Sequence, residues 1–317
     1  MPFPELPRPA PGDVLLVCTC YEDGEARWGG LLDEVGGRRD GDVLVLGDAG
    51  VRLRLVEGTG WTYLHGGNVP ALLTGTGTGT DAPPPVAVLA DISVVYGGDG
   101  PLLVDLAATP GRGVRVPSAR LGEILAALLA GTLAFDDLVD AMDRRGMYQG
   151  DHGRPAFRAP TPPPRRSFPA LPSSAAALLV RTAFADEEGW SALLDALGRQ
   201  DEDGWVGADP DPDEIDVEHY PLTALIVDDR SFEGLLPGQV PALVPPEEHT
   251  TLVALADART FTDPGLPLTV VDLYDAPGHA ALLPCRQVGS LAVNLELANM
   301  DFHEFVAEEG VTPWWEG

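Results

Sequence analysis

Apolar residues along this chain fall in short runs bounded by turn residues, and the runs divide by period. Val14–Thr19, 43–46, 51–56, 86–95 and Leu102–Leu106 read as strands in the first half. Ala177–Thr182, 222–228, 252–259 and Leu268–Leu273 read as strands in the second. Val51, Leu53 and Leu55 alternate with Arg52 and Arg54, which predicts a half-buried strand with an arginine face. The period then lengthens. Leu121, Ile124, Leu125, Leu128 and Leu129 stand at helical spacing, as do Val288, Leu291, Ala292 and Leu295. Further helices are expected to be anchored by Trp28 and Trp190, and short ones to start near Phe135 and Phe302, with Asp301 and Glu304 as a capping pair. Strands interleaved with helices predict an α/β class, with α+β as the alternative.

The second half echoes the first in order. Leu15-Leu-Val-Cys-Thr-Cys-Tyr-Glu-Asp23 returns as Leu178-Leu-Val-Arg-Thr-Ala-Phe-Ala-Asp186, and Trp28-Gly-Gly-Leu-Leu-Asp33 as Trp190-Ser-Ala-Leu-Leu-Asp195. Asp91, Asp105, Pro110-Gly111, Gly122 and Phe135 recur as Asp257, Asp272, Pro277-Gly278, Gly289 and Phe302. This is a tandem duplication. Residues 151–172 between the copies are rich in proline and arginine and carry no apolar period, the composition of a semi-rigid linker. The expected organisation is a first α/β domain over 1–150, a linker over 151–172 and a second domain over 173–317.

The stretch Val293-Asn-Leu-Glu-Leu-Ala-Asn-Met-Asp-Phe-His-Glu-Phe305, together with Leu178-Leu-Val-Arg-Thr-Ala-Phe184, resembles an uncharacterised bacterial domain family of unknown function, found in GC-rich soil bacteria. The resemblance covers most of the second copy. The first copy departs from it, with Ala-Gly-Thr-Leu-Ala-Phe135 in place of Leu-Ala-Asn-Met-Asp-Phe302. It implies the domain and no chemistry.

Composition narrows the function. All 20 cationic side chains are arginine. Without lysine there is no Schiff base, no Walker A site and no kinase strand lysine. The formal charge of −29 makes a poor general binder of nucleic-acid phosphates. No apolar run reaches the 18 or so residues of a membrane span, and the proline-studded start lacks a signal-peptide core. Cys18, Cys20 and Cys285 form no CxxC pattern and read as buried reduced thiols, so a cytoplasmic location is expected.

Motifs of catalysis are missing: there is no GxSxG, HExxH or CxxC. The Gly75–Thr80 run reads as a loop rather than a phosphate cradle. His65, His152, His219, His249, His279 and His303 are scattered, with none four residues from another. Asp209-Pro-Asp211-Pro-Asp213 starts like a calcium loop, but Glu214 stands where glycine is needed and Tyr220 where the last glutamate belongs. Asp228-Asp229 ends an apolar strand, as catalytic carboxylates often do, but a receiver or phosphotransfer site would also need a lysine; Asp91, Asp105, Asp257 and Asp272 at strand ends read as turn and cap residues. Asn294 and Asn299 are either helix-end groups or part of a recognition surface. No catalytic residue, cofactor or metal is expected.

What stands out is charge asymmetry. Residues 1–150 carry a net −9, the linker +3 and residues 173–317 a net −23. Nine acids fall between Asp201 and Glu218, around Trp205: Asp201, Glu202, Asp203, Asp209, Asp211, Asp213, Glu214, Asp216 and Glu218. Duplicated domains start with equal charge, so the second copy has diverged toward acidity. The reading is a non-enzymatic interaction protein, most concretely an immunity or antitoxin-like inhibitor that covers a basic protein surface through this cluster. Its alternatives are a scaffold and a carboxylate-based, metal-dependent enzyme. No nucleic acid or membrane is expected as a partner.

Overall fold

A computed structural model of the chain describes residues 3–47, 50–73, 84–94, 99–150, 167–207, 220–246, 249–307 and 313, the side chains of 22–26 excepted. The chain divides into two compact units, 1–165 with Tyr274–Pro277, and 166–273 with 278–317. The linker expected over 151–172 lies outside the described residues up to 166.

The first unit runs β1 (Asp13–Cys18), α1 (Tyr21–Val35), β2 (Arg38–Asp40), β3 (Val43–Leu46), β4 (Val51–Val56), α2 (Val69–Leu72), β5 (Val86–Ala90), β6 (Leu102–Asp105), β7 (Gly113–Arg115), α3 (Leu121–Leu129) and α4 (Phe135–Asp140). These strands make one seven-stranded sheet in the order β2-β3-β4-β1-β5-β6-β7. Its parallel neighbours are β4 with β1 and β1 with β5. Every residue of β1 is buried, because it is central and covered on both faces. Val14, Leu16 and Cys18 face Trp28, Leu121, Ile124 and Phe135. Leu15 and Val17 face the other way, toward Leu6, Leu64 and Val69. The alternation in β4 came through: Val51, Leu53 and Leu55 are buried, Arg52 pairs with Asp13 and Arg54 with Asp42.

The second unit repeats the plan with β8 (Ala177–Arg181), α5 (Glu187–Ala196), β9 (Trp205–Val206), β10 (Ala224–Val227), β11 (Val253–Ala256), α6 (Ala258–Thr262), β12 (Leu268–Val271), β13 (Ala280–Leu283) and α7 (Cys285–Glu296). Its sheet order is β13-β12-β11-β8-β10-β9, again with a parallel centre of β10, β8 and β11. Trp190 and Phe302 sit in its core as Trp28 and Phe135 do in the first.

Small details show the common origin of the two units. The turn after β6 is held by Asp105 N–H donating to Arg112 O and Gly111 N–H donating to Asp105 O, both 2.8 Å. After β12, Asp272 N–H donates to His279 O and Gly278 N–H to Asp272 O, again both 2.8 Å. Gly111 and Gly278 share a φ of +86°, which explains why that glycine is retained in both copies. The retained Gly289 has a different cause. A Cβ there would lie 2.0 Å from Tyr220 O, so only glycine lets α7 pack on the chain entering β10.

Strands predicted over 86–95 and 252–259 are shorter than expected. Asp91 and Asp257 end them, the first by accepting from Val94 N–H, the second by capping α6 through Arg259 N–H. Leu128 and Leu129 continue the α3 stripe by period but lie outside the fully buried set.

Candidate functional site

In doubly wound sheets the productive crevice lies beyond the carboxyl ends of the strands, where chain order reverses about the first strand. Both units have such a point, because β1 is flanked by β4 and β5 and β8 by β10 and β11.

In the first unit β1 and β5 end at Cys18 and Ala90, and a crevice opens there, lined in part by Thr19, Cys20, Leu64, His65, Asp91 and Ser93. Asp91 is not idle. Arg115, 3% exposed, forks onto it with Nη1 to Oδ1 at 3.2 Å and Nη2 to Oδ2 at 2.8 Å. Desolvation pulls the Arg115 guanidinium down, but the Asp91 charge and hydrogen bond outweigh it and fix the cation. Tyr63 on the same rim has φ +65° and is largely exposed, a strained conformation for a bulky residue. Next to it, Trp61 Nε1 and Thr62 Oγ1 are shielded from water and meet no hydrogen-bond partner among the described residues. Strain and unmatched polar atoms in one loop mark a place where folding stability has been conceded.

In the second unit Arg181 stands where the first has Cys18. Its guanidinium is buried among Phe184 at 4.6 Å and Trp190 at 5.2 Å, and reaches Glu187 at 3.0 Å and Asp228 at 3.4 Å. The hydrogen bond from Arg181 holds the Glu187 carboxyl below its ordinary value. Phe184 also receives Arg230 at 5.0 Å on its ring. The two switch points have therefore diverged at the end of the central strand: a thiol in one, a buried arginine in the other. Neither arginine was picked out from sequence. Arg181 was visible as a charge ending an apolar run, but its partners come from distant segments.

The strand-end carboxylates are tied up. Asp105 accepts from the N–H groups of Ala107, Ala108 and Thr109. Asp229 accepts from Ser231 N–H. At Asp257 burial pushes the carboxyl up, but hydrogen bonds from Arg259 and Thr269 win and hold it low. Asp301 N–H donates to Glu304, half of the expected capping pair.

The two asparagines are helix-end groups. Asn294 Nδ2 donates to Ser290 O at 2.8 Å, and Asn299 N–H closes α7 on Asn294 O at 3.0 Å. The residue that turns the chain is Ala298, at φ +51°, where the first copy has Gly131 at +69°.

Of the acidic cluster, Asp201, Glu202, Asp203 and Trp205 are described. Asp209, Asp211, Asp213, Glu214, Asp216 and Glu218 lie outside the described residues. Asp201 shapes the turn into β9, because its carboxylate accepts from Asp203 N–H and Trp205 N–H at 2.9 and 2.8 Å. Trp205 is half-buried and paired with Leu225 on the sheet edge. Glu202 and Asp203 project from the turn, exposed. Arg181, Arg199 and Arg259 are each engaged with a carboxylate of their own unit. Glu188, Glu202 and Asp203 have no ion-pair partner among the described residues.

Among the described residues no three His, Cys, Asp or Glu side chains are grouped to hold a metal, and no helix is long and apolar enough to cross a membrane. No curated protein and no solved structure matches the chain. The sequence profile of one family matches it twice, over residues 13–151 and 176–312, in step with the two folded units. The chain thus belongs to the family described as domain of unknown function (DUF6924), of which it carries two copies in tandem.

Proposed function

We propose that this chain is a non-catalytic interaction protein whose second unit presents an acidic face to a basic protein partner, in the manner of an immunity or antitoxin-like inhibitor. One observation carries the reading. Residues 173–317 hold 28 acids against five arginines, and three of those arginines are engaged with carboxylates of the second unit, so the acids outnumber the cations more than fivefold. The turn that leads into β9 displays Glu202 and Asp203 at the start of this surplus, next to the half-buried Trp205 on an edge strand. Acids around an aromatic give both long-range attraction and a short-range anchor. The enzyme alternative loses support, because Asp91, Asp105, Asp229 and Asp257 are committed to arginines or backbone N–H groups.

The test is photocrosslinking in the source cells, with the crosslinker at position 203 of the full chain and, as control, at the exposed position 145 of the first unit. A basic protein captured through 203 and not through 145 supports the reading. Capture through 145 alone, or of neutral and acidic proteins only, contradicts it.

A further inference from the structure

Cys18 and Cys20 have no counterpart in the second unit, where the same positions hold Arg181 and Ala183. Cys18 ends β1 and Cys20 caps α1, a fifteen-residue helix. Two residues apart, they pack into the same buried cluster. Cys20 has left the extended conformation, with φ −136° and ψ +40°, so the chain already bends where an eleven-atom ring would have to close. The Cys20 thiol donates to Ala90 O at 3.9 Å, and its presence beside Cys18 holds the Cys18 thiol below its ordinary value, against the upward push of burial. Cys20 also lines the crevice at the switch point, with Thr19 and Ser93. Cys285 supplies the contrast: a single thiol in the other unit, pushed up by burial.

We infer that Cys18 and Cys20 form a redox-active dithiol, which a small hydroperoxide entering the first unit's crevice oxidises to an intramolecular disulfide. Cys20, the thiol that lines the crevice, loses its proton and attacks the terminal peroxide oxygen, while Cys18, the thiol held low, is kept for the second step. An S–O bond forms, the O–O bond breaks, and the alkoxide or hydroxide leaves with the proton that the thiol gave up. The Cys18 sulfur then attacks the Cys20 sulfur. The S–S bond forms, and the hydroxyl of the sulfenic acid leaves as water with the Cys18 proton. Two thiols and one hydroperoxide give one disulfide, one alcohol or water, and one water. A two-electron thiol reductant reverses the change. This reading is independent of the acidic face of the second unit.

The experiment treats the full native chain with hydrogen peroxide and follows intact mass and peptide maps with time. The expected product has lost two hydrogens, contains a Cys18–Cys20 link, and forms at least about tenfold faster than any oxidation of Cys285. Dithiothreitol restores the starting mass. In Cys18→Ser, dimedone should trap a sulfenic acid at Cys20; Cys18→Ala serves as a second version should the serine disturb the core. Oxidation of Cys285 as fast as the pair, an intermolecular disulfide in place of the internal one, or no trapped Cys20 in folded Cys18 variants would overturn the inference.

Discussion

The end of α7 offers a sharp test of the duplicated architecture. Ala298 occupies the left-handed region at φ +51°, while its counterpart Gly131 holds φ +69° in the same hydrogen-bonded turn. The amide of Ala298 donates to Leu295 O and that of Asn299 to Asn294 O, as Gly131 donates to Leu128 O and Thr132 to Ala127 O. A Cβ in this region costs about 1–2 kcal/mol, and glycine gives back about 0.5–1 kcal/mol through its unfolded-state freedom. Ala298→Gly should therefore stabilise the second unit by about 0.5–1 kcal/mol. Gly131→Ala should destabilise the first by a similar amount, since open space around Gly131 leaves backbone strain as the only cost. Differential scanning calorimetry of the full chain reads both, at about 2–4 °C per kcal/mol for a domain of this size. If the units melt separately, each substitution moves one transition only. If they melt together, the single midpoint rises with Ala298→Gly and falls with Gly131→Ala. A lower midpoint for Ala298→Gly would refute the left-handed turn and the equivalence of the two helix ends.

Other outcomes follow from the same geometry. Gly289→Ala places a methyl group 2.0 Å from Tyr220 O and should cost more than about 2 kcal/mol, whereas Gly122→Ala, with 3.3 Å to Leu46 Cβ, should cost less; urea titration compares them. Asp257 is held below its ordinary value in the folded state, so its stabilisation is present above the unfolded value near 4 and is lost as pH falls through the lower folded value. Asp257→Asn should flatten that part of the acid-stability curve, read by circular dichroism between about pH 5 and 2. Trypsin, limited to arginine in this lysine-free chain and blocked at Arg154 by Pro155, should cut first after Arg158, Arg165 or Arg166 and leave two fragments of similar size on a gel. Rapid loss of both halves would contradict the two-domain organisation.

Much of the fold was legible in the sequence because its information is local. β3 and β4 were legible to their observed limits, β3 as an apolar run and β4 by its alternation, each bounded by turn residues. Trp28, Trp190, Phe135 and Phe302 were legible as core because they recur at fixed places in the repeat. The short β2 and β9 were not: Arg38–Asp40 is exposed at every position, and two residues of β9 carry no period. Little of the site was legible. Arg115 finds Asp91 24 positions away, and the crevice exists only because β5 crosses to the far side of β1. No periodicity in a single strand encodes that crossing. Ala298 also misled by type, because the turn it makes is normally signalled by glycine.

The acidity of the second unit is the central functional claim, and association kinetics test it most directly. With the crosslinked partner in hand, rates should be measured for the full chain between about 50 and 500 mM salt. Attraction between residues 173–317, of net charge −23, and a basic surface acts mainly on encounter and is screened beyond about 8–10 Å at physiological salt. Association should slow at least tenfold over that range, while dissociation, set by packing near Trp205, changes little. The variant with Asp209, Asp211, Asp213 and Asp216 all replaced by Asn should show the high-salt rate already at low salt. Association that ignores both salt and these substitutions would contradict the account and leave the charge of the second unit without a role in binding.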